Sequence, residues 1–149
     1  MSPEFITILI SALPIGELRA GLPVALFSFN LPPLKAYLLS VFGNFLPVIP
    51  LLLLWHYVIH SLGEKIPFLR SWSNWIFEKT RVRHGRSFEV LKSLALFIFV
   101  MVPMPLTGAW SGTVAGFVFG VPFWRSVLLI TLGILASGLI MLFGAGLFL

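Results

Sequence analysis

Two ionisable side chains stand where a hydrophobic chain should carry none. Glu17 and Arg19 lie in Leu13-Pro14-Ile15-Gly16-Glu17-Leu18-Arg19-Ala20-Gly21-Leu22-Pro23, with long apolar runs on either side. A charge at the centre of a bilayer costs about 2.5–3.5 kcal/mol on insertion scales, so a Glu or Arg at that depth marks function by default. Side chains two residues apart do not face each other on a regular helix. Each charge therefore needs its own partner, unless the backbone there is non-helical. A guanidinium suits a bidentate grip on phosphate or carboxylate. A carboxylate caught between desolvation and a neighbouring cation suits proton coupling. The structural alternative is an ion pair that pins a turn.

A second stretch offers neutral donors. Pro103-Met104-Pro105-Leu106-Thr107-Gly108-Ala109-Trp110-Ser111-Gly112-Thr113 holds the hydroxyls of Thr107, Ser111 and Thr113 and the indole of Trp110. These four are expected along a substrate path, although Trp110 serves equally well as a packing residue. Pro14, Gly16, Gly21, Pro23, Pro103, Pro105, Gly108 and Gly112 are expected to shape the backbone and let helices approach, rather than to touch substrate. His56 and His60 stand at the i, i+4 spacing that can hold a metal. The run His56-Tyr57-Val58-Ile59-His60 lacks the glutamate of the HExxH pattern, so interfacial histidines are expected, with a proton relay as the alternative. No metal site and no cofactor are expected. The chain has no GxxxxGK[ST] loop, no Gly-x-Ser-x-Gly elbow and no visible nucleophile–base pair. ATP-driven transport and enzymatic catalysis are not expected.

These residues must be positioned by elements that the composition already restricts. The chain has 149 residues, of which 58% are hydrophobic and 10% charged. About a quarter of a soluble domain is charged, so the class is an all-α, polytopic integral membrane protein. Cysteine is absent, which excludes disulfides and thiolate chemistry. Met1 to Leu18 has no Lys or Arg and does not read as a signal peptide. Phe5 to Phe29 is apolar but broken at Glu17 and Arg19. Leu34 to His60 reads as a spanning helix kinked by Asn44, Pro47 and Pro50. Leu94 to Val102 is apolar and stops at Pro103-Met104-Pro105. Trp124 to Leu149 reads as a second span. The polar region 61–92 carries Lys65, Arg70, Lys79, Arg81, Arg83, Arg86 and Lys92 against Glu64, Glu78 and Glu89. By the positive-inside rule it faces the cytoplasm, in the plasma (cytoplasmic) membrane. Ile66, Phe68, Leu69, Trp72, Trp75 and Ile76 recur within it at helical spacing, the pattern of an amphipathic helix in the headgroup layer. The net charge of +5 thus reads as one basic loop beside anionic lipid, not as a nucleic-acid surface.

The chain also repeats itself. Leu31-Pro32-Pro33-Leu34-Lys35 resembles Val121-Pro122-Phe123-Trp124-Arg125, and Gly43 then matches Gly133. Across a one-residue slip, Pro14 matches Pro105 and Gly21 matches Gly112. Residues 1–60 and 93–149 become two halves joined by the basic connector 61–92, in one membrane domain. If each broken segment crosses the membrane, four spans result and the halves run parallel. If each enters and returns on one side, two re-entrant hairpins and two spans result, and the halves are inverted. The second reading is favoured, because paired Pro/Gly-interrupted segments point to an inverted-repeat transporter site. Non-helical backbone at that depth must be buried in protein or line a wet cavity.

Both motifs resemble signatures of the small multidrug export protein family. Pro14 to Pro23 resembles its first and Pro103 to Gly112 its second. The sequence departs at Leu106, where glycine is the family's residue, and at Ser111, where threonine is usual. The resemblance implies a distant kinship with DedA membrane proteins, which look like inverted-repeat, double-hairpin transporters. Some of them are implicated in moving polyprenyl-phosphate carriers and in proton-dependent physiology. On this reading the chain is a small secondary transporter, proton-coupled through Glu17 and Arg19, for an anionic amphiphile such as a polyprenyl-phosphate or phospholipid. Export of lipophilic cationic drugs and a non-transporting membrane scaffold are the alternatives. The expected partners are membrane lipids, protons and further copies of the chain in a homodimer or larger homo-oligomer, since so few spans seal a polar site poorly.

Overall fold

The computed structural model describes residues 1–68, 70, 71, 74, 75, 78 and 86–147, and all regular structure among them is helical. The elements are α1 (Pro3–Ala12), α2 (Glu17–Pro23) continued by a π-helical turn (Val24–Ser28), α3 (Pro33–Phe45), α4 (Val48–Gly63), α5 (Arg86–Met101), α6 (Ala109–Val118) and α7 (Phe123–Gly146). Local chemistry sets several ends. The Ser2 hydroxyl accepts from the Phe5 N–H at 3.3 Å and caps α1. Pro32 and Pro122 stand immediately before α3 and α7, and a proline there costs no helical hydrogen bond.

The kink expected from Asn44, Pro47 and Pro50 falls at Leu46 and Pro47, between α3 and α4. Pro47 and Pro50 lack N–H groups, so the carbonyls one turn earlier lose their helical donors. The bent run Pro33–Leu62 remains long and apolar enough to cross a membrane, as does Phe123–Gly146. The other apolar helices are shorter. At 1.5 Å per residue, the ten residues of α1 and the ten of α6 reach only about 15 Å, half of a roughly 30 Å hydrocarbon core.

Helix directions follow from the contacts. The start of α1 meets the start of α3 through a Glu4–Lys35 ion pair of 2.6 Å. Further along, Gly43 abuts the Ile8 carbonyl and Ser11 so tightly that a Cβ would sit 2.5 Å from that oxygen. The two helices therefore run parallel. The second half uses the same contacts. Arg125 meets Glu89 at 2.9 Å where α7 and α5 begin, and a Cβ on Gly133 would lie 2.7 Å from Val100 Cβ. Between the halves the direction reverses. Ala36 and Tyr37 at the start of α3 cluster with Leu142 and Ala145 at the end of α7. The Tyr37 hydroxyl donates to the Leu135 carbonyl at 3.0 Å. Val48 and Leu52 pack with Ile130 and Ile134. The long helices are thus antiparallel, and Lys35 and Arg125 lie at opposite ends of the bundle.

The sequence reading ends the connector at residue 92 on charge, and the structure has α5 in place from Arg86. Its first turns are polar on one side only, and Leu96 and Val100 continue the same helix into the core. Most of the amphipathic stretch expected around Ile66–Lys79 lies outside the described residues.

Candidate functional site between the hairpin tips

α1 and α2 form one helical hairpin, α5 and α6 another, and their turns meet. Because α1 ascends beside α3 and Gly43 faces Ser11, the first turn reaches the level of the Leu46–Pro47 break. Both tips therefore lie near the middle of the long helices.

Neither charge answers the other. Glu17 is 9% exposed and sits at the start of α6. Its Oε1 accepts from the Trp110 N–H at 3.3 Å and also faces the Ala109 N–H. α6 has no side-chain cap of its own, since glycine occupies its N-cap. Glu17 supplies that cap from another hairpin. The first N–H groups of any helix lack internal partners, and the helix dipole favours an anion there. Gly108 makes room, because a Cβ at that position would lie 1.6 Å from Glu17 Oε2. Arg19 reaches the same tip and donates to the Thr107 carbonyl, with Thr107 Oγ1 3.3 Å away.

The service is returned. The Trp110 indole Nε1–H donates to the Ala12 carbonyl at 3.0 Å, closing the carbonyl end of α1. Each tip thus satisfies backbone groups that the other leaves open. In hydrocarbon every such group, if unpaired, costs several kcal/mol. Within the second tip, Thr107 Oγ1 donates to the Val102 carbonyl at 2.6 Å and accepts from the Met104 N–H at 3.1 Å. The Gly108 N–H donates to Ser111 Oγ at 3.0 Å.

The tips enclose a cavity lined by Pro14, Ile15, Gly16, Glu17, Arg19, Pro105, Leu106, Thr107, Trp110 and Ser111, with a volume of about 540 Å³. Of the residues expected to act, Glu17, Arg19, Thr107, Trp110 and Ser111 meet there. Thr113 does not reach it. It is fully buried, donates to the Trp110 carbonyl at 2.6 Å and accepts from Trp55 Nε1 at 3.1 Å. Pro14, Gly16 and Pro105 line the wall. Pro103 lies in the turn before α6, Pro23 ends α2, and Gly21 and Gly112 sit at close contacts with Ser11 and Val100. His56 and His60 are exposed and line a separate groove on α4. No cluster of potential metal ligands occurs among the described residues.

Backbone strain gathers at the same place. Glu17 adopts φ 49° and Leu106 φ 72°, the left-handed region that L-residues rarely enter. The Leu106 side chain is 89% exposed.

A family model described as "Putative small multi-drug export protein" matches residues 17–140. The chain belongs to this export-protein family. The match begins at Glu17 and takes in α2, the second tip and most of both long helices, and so includes Glu17, Arg19, Thr107, Trp110 and Ser111 of the cavity wall. Two apolar helices of spanning length agree with the membrane setting of the export-protein family. Neither a curated protein nor a solved structure is matched.

Sequence reasoning missed three features of this site. Nothing in the sequence singles out Trp55, yet its indole donates to Thr113. Gly108 was read as a turn former, yet it clears space for a carboxylate. The cross-capping itself joins residues 93 apart in sequence. The only local hint was a helix start at Ala109 with no capping side chain before it.

Proposed function

We propose that the protein is a small secondary transporter whose substrate site is the cavity between the two hairpin tips. The hairpins re-enter from opposite faces of the membrane, and the halves form an inverted repeat. The antiparallel long helices, the shortness of α1 and α6, and the matching ion pairs and glycine contacts in the two halves support this arrangement. The connector faces the cytoplasm and the protein lies in the plasma membrane, in keeping with its basic charge.

One observation carries the mechanism: the N-terminus of α6 is an anion site occupied by the protein's own carboxylate. A phosphate or carboxylate headgroup entering the cavity competes with Glu17 for the Ala109 and Trp110 N–H groups. Protonation of Glu17 removes its negative charge and weakens its hold on the helix end. Proton uptake and anion binding are then linked at one place. Arg19, already directed at Thr107, has further donors for the incoming anion. The apolar wall of Pro14, Ile15, Pro105 and Leu106 accommodates the lipophilic part. The substrate class is an anionic amphiphile such as a polyprenyl-phosphate or phospholipid, moved with protons.

Export of lipophilic cations is the second reading, favoured by the family's description. Substitution in reconstituted vesicles separates the two. Arg19→Ala should reduce anion transport by tenfold or more, and Glu17→Gln should uncouple it from the proton gradient. If Glu17→Gln abolishes cation efflux while Arg19→Ala spares it, the cation reading holds. A folded protein in which neither substitution changes any flux leaves these charges a purely structural role, as in a scaffold.

A further inference from the structure

The polar end of the second half holds a groove that the tip cavity does not explain. It runs between α5 and α7, with Arg86, Glu89 and Arg125 at one end and Leu94, Phe97 and Leu129 along its wall, and has a volume of about 570 Å³. Its two ends differ in chemistry. Arg86, Glu89 and Arg125 gather where both helices begin. Below them the lining is apolar, and Val90, Leu94 and Leu132 are exposed at 62%, 50% and 43%.

Charge at the head of the groove is unbalanced. Glu89 contacts Arg125 at 2.9 Å and Lys92 at 3.0 Å. Arg86 is exposed and, among the described residues, adds a third cation to this single carboxylate. Arg125 spends one N–H on Glu89, and a guanidinium has five. The start of α7, capped at Pro122, places a positive dipole end beside these side chains. Residues 86 to 97 cover about 16 Å along α5 at 1.5 Å per residue, close to the roughly 15 Å hydrocarbon depth of one leaflet.

We infer that the α5–α7 groove binds an anionic diacyl phospholipid, its phosphate held by Arg86 and Arg125 and one acyl chain lying against Leu94, Phe97, Leu129 and Leu132. The opposite end of the bundle lacks this excess of positive charge, since Lys35 meets Glu4 one to one. The site thus selects lipid of the leaflet that faces the connector. Basic residues near a membrane surface each contribute about fivefold to the binding of acidic lipid.

The full chain is purified in detergent, supplied with phosphatidylglycerol or phosphatidylcholine, and read by native mass spectrometry. Phosphatidylglycerol should be retained at least tenfold more strongly. Arg86→Ala with Arg125→Ala should lose roughly 30-fold of that retention. Arg86→Lys with Arg125→Lys should preserve most of it, and Lys35→Ala should leave it unchanged. A wild-type protein with no preference overturns the site, as does a double-alanine protein that keeps the preference. So does displacement of the lipid by millimolar inorganic phosphate or glycerol phosphate, which would make the headgroup alone the ligand. The readout does not involve transport, so it stands or falls independently of the tip cavity.

Discussion

Glu17 is a helix cap contributed across the molecule, and its substitutions should divide along that role. Glu17→Ala leaves the Ala109 and Trp110 N–H groups open and should destabilise the protein by about 1–3 kcal/mol. Glu17→Gln keeps an acceptor and should lose less, as read from thermal denaturation in detergent. Gly108→Ala should be at least as damaging as Glu17→Ala, because its methyl group would occupy the place of the carboxylate. Overpacking of this kind costs about 1–3 kcal/mol. Leu106 allows the opposite experiment. Left-handed backbone costs an L-residue about 1–2 kcal/mol, and glycine returns about 0.5–1 kcal/mol of that as unfolded-state entropy. Leu106→Gly should therefore leave stability equal or raise it by up to about 1 kcal/mol, whereas Leu106→Val should lower it. A large loss with Leu106→Gly would show that the exposed leucine makes contacts of its own.

The elements were legible in the sequence to different depths. The kink was readable because two prolines three residues apart remove successive donors, and the structure breaks at the first. The hairpin turns were readable as Pro/Gly interruptions at matching places. The start of α5 was not, because charge marked the connector while the helix had already begun. The cap at α6 was unreadable because its acceptor belongs to another hairpin. Glu89 in that first turn of α5 yields a test by pH. Lys92, and with it Arg125, holds its carboxyl below the ordinary glutamate value of 4.5. A carboxylate with a lowered folded pKa stabilises the protein above its unfolded value, and that contribution is lost as pH falls through the folded one. Melting temperature should thus be insensitive to this pair above pH 4.5 and decline below it, and Glu89→Gln should remove that part of the decline. Lys92 Nζ lies 3.0 Å from Glu89 Oε1.

For the whole molecule the decisive feature is direction. Lys35 and Arg125 occupy matched sequence positions but opposite ends of the bundle. The chain contains no cysteine, so single cysteines placed at these two positions can be labelled without background. In oriented vesicles, Lys35→Cys should react with a membrane-impermeant maleimide from one side only and Arg125→Cys only from the other. Labelling of both from the same side would rule out two inverted halves and return the chain to four spans.

The interlocked tips also have a consequence for how the chain is made. Glu17 leaves the ribosome 93 residues before Trp110, a lag of about 5–20 s at usual rates of elongation. Throughout that interval the first hairpin has no cap to fill, and the Ala12 carbonyl has no donor. On the proposed re-entrant arrangement, the first hairpin has its full set of backbone partners at depth only once the second hairpin arrives, so the half synthesised first is the one that depends on the other.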